Sequence, residues 1–354
     1  MRLRLFDGAA TRIAARVAAA WLALALIVIA YFDTKAAAAG WLIGFALWAQ
    51  ILTGSLLLIM IHRLTGGRWG DIAAPVIDPA SAAVPCLLVL ALPLFVSLPV
   101  LYPWLHDHAA VKTDVLSYYL NIPSFVLRSL VALVGWSALA WFMPRLGGRR
   151  GELIAALGLV FYALTISGIS IDWFLALEPP FTSSSFGASV AIASLLSALA
   201  LAAIAMPAAD DDPAIGDIGG LLLATVLGLT YIDFMAVLVI WYGDLPREEI
   251  WFVERNSWLW LALAGAAFIF TSLVPTLALL LSRVRNARRP LRWVGFCALC
   301  GLALYNAYLI AAPVGILALL TGFIGMVGIG LGLFGLLPHR ASSSGTSETP
   351  IHAG

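Results

Sequence analysis

Apolar blocks of about 20 residues, each long enough to cross a hydrocarbon core of about 30 Å, recur along the whole chain. They run roughly over 15–32, 40–61, 84–105, 124–143, 153–177, 186–206, 218–242, 257–282, 291–311 and 313–337. Turn and charge signals divide them: Asp33-Thr34-Lys35, Gly66-Gly67-Arg68, Gly147-Gly148-Arg149-Arg150, Glu178-Pro179-Pro180, and Asp210 to Pro213. The ninth and tenth meet at Ala311-Ala312-Pro313 with almost no loop. This pattern predicts an all-α integral membrane protein with about ten transmembrane helices. The expected divisions are a cytoplasmic N-terminal segment (1–14), a ten-helix transmembrane domain (15–337) and a disordered cytoplasmic tail (338–354). That tail is rich in Ser and Thr and lacks apolar periodicity.

Composition excludes the competing classes. Of 354 residues, 62% are apolar and only 11% charged, against about 25% charged in a soluble domain. So few charges could not cover a soluble globule of this size. Water-soluble enzymes, nucleic-acid binders and disulfide scaffolds are therefore out, and the partners to expect include the lipid bilayer and no nucleic acid. A net charge of +1 points to no anionic partner. Of three cysteines, Cys297 and Cys300 read C-x-x-C, but inside an apolar helix and with no second pair; they read as small helix-packing residues. The basic N-terminal stretch lacks a convincing signal-cleavage site and precedes nine further apolar blocks, so it reads as an uncleaved first helix.

Charge asymmetry orients the chain. With the N-terminus in the cytoplasm, fifteen Lys and Arg fall inside: Arg2, Arg4, Arg12, Arg16, Arg63, Arg68, Arg145, Arg149, Arg150, Arg283, Arg285, Arg288, Arg289, Arg292 and Arg340. Outside are four, Lys35, Lys112, Arg247 and Arg255, and Arg128 lies within a helix. Cytoplasmic loops carry such an excess. An even helix count puts both termini inside, and a bacterial inner membrane is the expected location of this multi-pass chain.

The position of the intramembrane polar groups is more informative than their number. A charge near the bilayer centre costs about 2.5–3.5 kcal/mol on insertion scales and calls for a partner or a function. Arg128 lies about one turn inside the fourth helix and Asp172 lies roughly 9 Å from the end of the antiparallel fifth, at similar depth. An Arg128–Asp172 pair follows, and Thr165, Gly168 and Asp172 share one helical face. Asp233 on the seventh helix lies roughly 13 Å below the outer surface, near the midplane. Tyr231, Tyr305 and Asn306 are candidates for lining a polar path, and Tyr308 also falls in the outer half. Packing alone is the competing explanation for each charge. Only His62 of the five histidines lies on a helix, so no histidine pair can clamp a haem. No C-x-x-C-H, iron–sulfur cysteine set or Gly-rich phosphate loop occurs. His106-Asp107-His108 reads as a solvated loop. No haem, iron–sulfur cluster or metal is expected on this chain, so redox work would pass electrons to another subunit.

Four stretches resemble a known family. They are Leu64-Thr65-Gly66-Gly67-Arg68-Trp69-Gly70; Tyr119-Leu120-Asn121 with Phe125 and Arg128; Ile171-Asp172-Trp173 through Glu178-Pro179-Pro180-Phe181-Thr182-Ser183-Ser184-Ser185-Phe186-Gly187; and Ile240-Trp241-Tyr242-Gly243-Asp244-Leu245-Pro246 with Glu248, Glu249 and Trp251. Over roughly residues 40–260 the chain resembles the NrfD-like (polysulfide reductase membrane subunit) superfamily. Within it, the likeness is greatest to the second quinone-binding membrane subunit of alternative complex III, a quinol:cytochrome c oxidoreductase. Met235 and Ala236 stand where that subunit carries polar residues, and the chain is short for it. The resemblance implies ten helices in two four-helix bundles plus two more. It implies partners: other NrfD-like membrane subunits, and periplasmic iron–sulfur and multihaem cytochrome c subunits. It also implies work on quinol (ubiquinone or menaquinone) or on protons.

A quinol pocket must open to lipid, be mainly apolar, and hold a few proton-accepting groups. Asp172, with Arg128 and Asp233 in support, is the expected proton or quinol path, opening outward, and Tyr231, Tyr305 and Asn306 are the expected lining of a quinone site or of that polar path. Glu178, Asp244, Glu248, Glu249 and Trp251, among the aromatic residues Phe181, Phe186, Tyr242 and Trp258, are the expected docking surface. An aromatic belt at the interface is the plain alternative. Two other functions stay open: a secondary transporter with midplane carboxylates, for which Ile171-Asp172-Trp173 against Ile232-Asp233-Phe234 is only a faint repeat with no paired broken helices, and a purely structural membrane anchor.

Overall fold

A computed structural model describes residues 9–107, 113–179, 181–207 and 212–336, and every regular element among them is helical. Nine described helices are long and apolar enough to cross a membrane, or ten if one bent pair counts as a single span. The expected tail, most of the N-terminal segment, and Arg2, Arg4, His108, Lys112, Pro180, Asp210 and Arg340 lie outside the described residues.

The chain opens with α1 (Ala9–Phe32) and α2 (Thr34–Thr65). Asp33 starts α2 by accepting a 2.9 Å hydrogen bond from the Ala36 amide, satisfying one of the free donors at a helix start. α2 is apolar and buried almost all round, as a central helix must be. It ends at Gly66 and Gly67, whose φ of 68° and 102° suit glycine and turn the chain into α3 (Arg68–Ala82).

The third span departs from the expected continuous helix over 84–105. Here α3 is followed by three short helices, α4 (Cys86–Leu90), α5 (Leu92–Val96) and α6 (Leu98–Leu101), with a 48° bend after Ala82. Pro85, Pro93 and Pro99 explain the breaks, since each ring removes a backbone donor and clashes with the preceding turn. Next come α7 (Thr113–Tyr118), α8 (Ile122–Phe142), α9 (Gly148–Trp173), α10 (Phe186–Ala205), α11 (Ala214–Tyr242) and the short α12 (Pro246–Val253). The eighth span is also interrupted. α13 (Trp258–Phe268) passes through a π-helical turn (Ile269–Leu273) into α14 (Val274–Leu280). Pro275 cannot donate to the Thr271 carbonyl four residues back, which favours the wider turn. α15 (Ser282–Arg285), α16 (Arg288–Ala311) and α17 (Ile316–Leu336) complete the described chain.

Two apolar cores form on opposite faces of α2. One gathers α4–α6, α8 and α9 around Phe45, Trp104, Phe125, Trp136 and Trp173. The other gathers α3, α10, α11, α14 and α16 around Ile51, Ile77, Leu199, Leu222 and Leu302. α17 packs along α2, where Thr321 donates a 2.7 Å hydrogen bond to the Ala36 carbonyl, and α1 packs on α17. The arginines meet at one end. Arg63 bonds the Leu146 and Met143 carbonyls, Arg16 bonds Gly335, Arg288 bonds Met206 and Arg292 bonds Ile204, at 2.7–2.9 Å. Cations here also complement the C-terminal dipoles of α8, α10 and α17.

Candidate functional site

The arginine-poor end of the first cluster holds a closed ion pair. Asn121 caps α8 through a 2.9 Å bond to the Ser124 amide and so fixes where Arg128 emerges, two turns on. Arg128 Nε donates to Asp172 Oδ2 at 2.7 Å, and Nη2 donates to Oδ1 at 2.8 Å and to the Tyr119 carbonyl at 2.9 Å. The guanidinium carbon lies 3.8 Å from the Tyr119 ring centroid. Asp172 is fully buried, whereas the Arg128 side chain keeps 25% of its surface exposed. A carboxylate buried this deeply is stable only with a well-placed counter-charge, and a two-point guanidinium contact is the geometry that supplies one. Burial, and next the Asp172 carboxylate, push the Tyr119 hydroxyl up to about 12, so it keeps its proton.

The face shared by Thr165, Gly168 and Asp172 is engaged along its length. Trp136 Nε1 donates to Thr165 Oγ1 at 3.0 Å, the Tyr119 hydroxyl lies 3.5 Å from the Gly168 carbonyl, and Arg128 holds Asp172. Beside it, Trp173 Nε1 donates to Ser129 Oγ at 3.0 Å.

Asp233 belongs to a different place. It sits on α11 in the second cluster, where Ser189 of α10 donates a 2.6 Å hydrogen bond to its Oδ1. It lines a cavity of about 260 Å³ with Tyr305, Tyr308, Thr271 and Ser272. Among the described residues no hydrogen bond joins Asp233 to Asp172; Asp172 is held by Arg128 and Asp233 by Ser189. Tyr305 of α16 lines this cavity together with Asp233. Tyr231 does not join them; it is 63% exposed on the outer face of α11, one helical step round from the cavity. Asn306 turns the other way from Tyr305 and pairs with Gln50 of α2.

The predicted docking residues divide between inward and outward positions. Glu178 faces inward, accepting 3.1 Å and shorter bonds from Arg255 and a 2.8 Å bond from Trp251 Nε1. The Arg255 guanidinium stacks over Trp251 at 3.7 Å, and Phe181 stacks on Trp251 at 4.8 Å between centroids. Trp251 is thus a clamp between α12 and the 178–186 loop. Glu248 accepts a 3.0 Å bond from Thr182. Asp244 and Glu249 remain exposed, Asp244 in a left-handed turn (φ 45°) that Asp tolerates.

Four site residues escaped the reading of the sequence as site groups: Tyr119, Ser189, Thr271 and Arg255. Ser189 and Thr271 are isolated hydroxyls in apolar helices, and only the helix pairing reveals what they face. Arg255 looked like a loop charge but is almost fully buried. Among the described residues no His, Cys, Asp and Glu group could hold a metal ion. His106 Nε2 donates a 2.7 Å hydrogen bond to the Pro99 carbonyl, and the three cysteines are free. Comparison of the chain with protein-family models and with curated proteins finds no match.

Proposed function

We propose that this chain is an integral membrane subunit of a bacterial respiratory quinol:electron-acceptor oxidoreductase of the NrfD-like type. In this reading it sits in the inner membrane beside other subunits of that type and docks periplasmic iron–sulfur and multihaem subunits, which carry the electrons. The observation that carries the reading is the buried Arg128–Asp172 pair, within the stretches that resemble that family. A quinol supplies two protons and two electrons on oxidation, and a carboxylate such as Asp172 can take only the protons. Both carboxylate oxygens are taken by Arg128, which leaves neither free for a ring hydroxyl while the pair is closed. The role assigned to the pair is therefore proton transfer. A proton arriving on Asp172 displaces an N–H of Arg128, the Tyr119 carbonyl and ring keep the guanidinium in place, and loss of the proton restores the pair.

A secondary transporter is the second reading. The observation favouring it is that two spans, the third and the eighth, are interrupted, and transporter sites commonly lie at broken helices. Affinity purification of the tagged chain from its native membrane in mild detergent separates the two. The proposal expects c-type haem absorbance to co-purify, with turnover on a short-tailed quinol. A chain that purifies without haem-bearing partners and drives solute uptake in proteoliposomes contradicts it.

A further inference from the structure

We infer that the groove between α1, α17 and α4 is a binding site for one anionic phospholipid, its acyl chain lying in the groove and its phosphate at Arg16. The groove encloses about 380 Å³. Along α17 it runs from Gly325 to Leu336, a length of about 16 Å at 1.5 Å per residue. On α1 it follows Ala19, Ala23 and Leu26. Trp41 of α2 also lines it, fixed by a 2.9 Å hydrogen bond from its indole N–H to the Leu90 carbonyl. Val89 of α4 and Ala20 of α1 line it and are exposed, so it opens where lipid would lie.

Shape decides between a hydrocarbon chain and a neighbouring helix. A volume of about 380 Å³ over that length leaves a cross-section of roughly 24 Å², whereas a helix about 10 Å across needs roughly 80 Å². A single extended chain fits; a transmembrane helix does not. The walls suit such a chain. Every lining side chain is apolar apart from the Trp41 indole, whose N–H is already satisfied by Leu90. α1 also has most to gain from the added contact, because it is the least buried of the nine long spans, at 11%.

Charge at one end of the groove selects the head group. Arg12 and Arg16 continue the face of α1 that carries Ala19, Ala23 and Leu26, by i, i+3 and i+4 spacing. Arg16 is exposed, and its Nε donates a 2.8 Å hydrogen bond to the Gly335 carbonyl. That bond sets the guanidinium beside Leu336, where the groove ends. Glycine at 335 makes the approach possible, since a Cβ there would lie 2.6 Å from Arg16 Cγ. Neither α1 nor α17 carries an Asp or Glu, so neither helix repels an anion. A phosphodiester accepts hydrogen bonds from a guanidinium and carries the complementary charge, and basic sites between helix ends recognise such head groups. The inference does not rest on the proposed function; it holds for a redox subunit and for a transporter alike.

The test is native mass spectrometry of the purified, delipidated full chain, titrated with phosphatidylglycerol or with phosphatidylcholine of the same acyl chains. The first phosphatidylglycerol should bind about fivefold more tightly than the first phosphatidylcholine, the effect of one arginine near an anionic head group. Arg16→Gln should erase that preference, and Arg16→Lys, which keeps the charge, should retain most of it. Ala20→Phe, which fills the groove from its exposed edge, should weaken both lipids several-fold. Thermal unfolding of each variant checks folding, and the two Arg16 variants decide the matter should Ala20→Phe fail to fold. Equal affinity for the two lipids in the parent chain, or an unchanged preference in folded Arg16→Gln, would overturn the inference. So would equal loss in Arg16→Lys and Arg16→Gln, which would make Arg16 a helix-packing residue, or unchanged binding in folded Ala20→Phe.

Discussion

Gln50 of α2 and Asn306 of α16 exchange amide hydrogen bonds of 3.0 and 3.3 Å across a buried helix seam, and Asn306 donates a further 3.0 Å bond to the Leu302 carbonyl. Neither amide lines the cavity that Tyr305 enters. Their role is to fix how the central helix meets the second cluster. Interhelical polar pairs in membranes are worth about 0.6 kcal/mol on average and up to about 1.7. Gln50→Leu or Asn306→Leu alone leaves one buried amide stranded, so each should destabilise more than its half of the double substitution. A double-mutant cycle by reversible unfolding in detergent measures this; strictly additive losses would contradict the pairing.

The ion pair should break unequally. Arg128→Gln leaves the fully buried Asp172 without a counter-charge, and losing one partner of a buried pair costs about 3–5 kcal/mol. Asp172→Asn leaves Arg128, a quarter exposed, free to reach outward to water. The Tm of Arg128→Gln should therefore fall well below that of Asp172→Asn. Equal values, or the reverse order, would show that the pair does not carry the assigned charge balance.

How much of this was legible beforehand depended on the kind of signal. Long apolar blocks announce helices because lipid thickness sets their length, and Arg128 and Asp172 could be matched because depth follows from counting residues along antiparallel neighbours. The third span was not legible as broken, since its prolines lie within an apolar run where hydropathy stays high. Direction around a helix was harder still. Tyr305 and Asn306 are adjacent, yet one enters a cavity and the other a seam, and Tyr231 turns outward two residues before Asp233. Separation of Asp172 from Asp233 depends on which helices share a core, and apolar sequence alone does not encode that.

Orientation is open to chemical labelling. Ser184→Cys, in a chain whose Cys86, Cys297 and Cys300 have been replaced, should react with a membrane-impermeant thiol reagent added from the periplasmic side. The arginine-rich end would then face the cytoplasm, as the charge excess requires. Labelling only from the cytoplasmic side would invert the map.

Docking separates into two substitutions. Glu249 is exposed and Glu248 accepts a bond from Thr182, so Glu248→Lys with Glu249→Lys should release a periplasmic partner while membrane insertion persists. Glu178→Gln instead weakens the clamp with Arg255 and Trp251, and should loosen α12, read as faster proteolysis near residue 250. Unchanged partner retention in the double lysine variant would leave these residues as an interfacial belt.

Turnover of the assembled complex carrying Asp172→Asn, with a soluble quinol and subunit content checked by gel, tests the central claim most directly. The substitution nearly preserves volume and removes the ionisable group. Quinol-dependent electron transfer or its proton release should fall at least about tenfold, equal to about 1.4 kcal/mol of barrier. A fully assembled Asp172→Asn complex that turns over and releases protons like the parent at every pH from about 6 to about 8 would contradict the claim and leave the Arg128–Asp172 pair as a packing element.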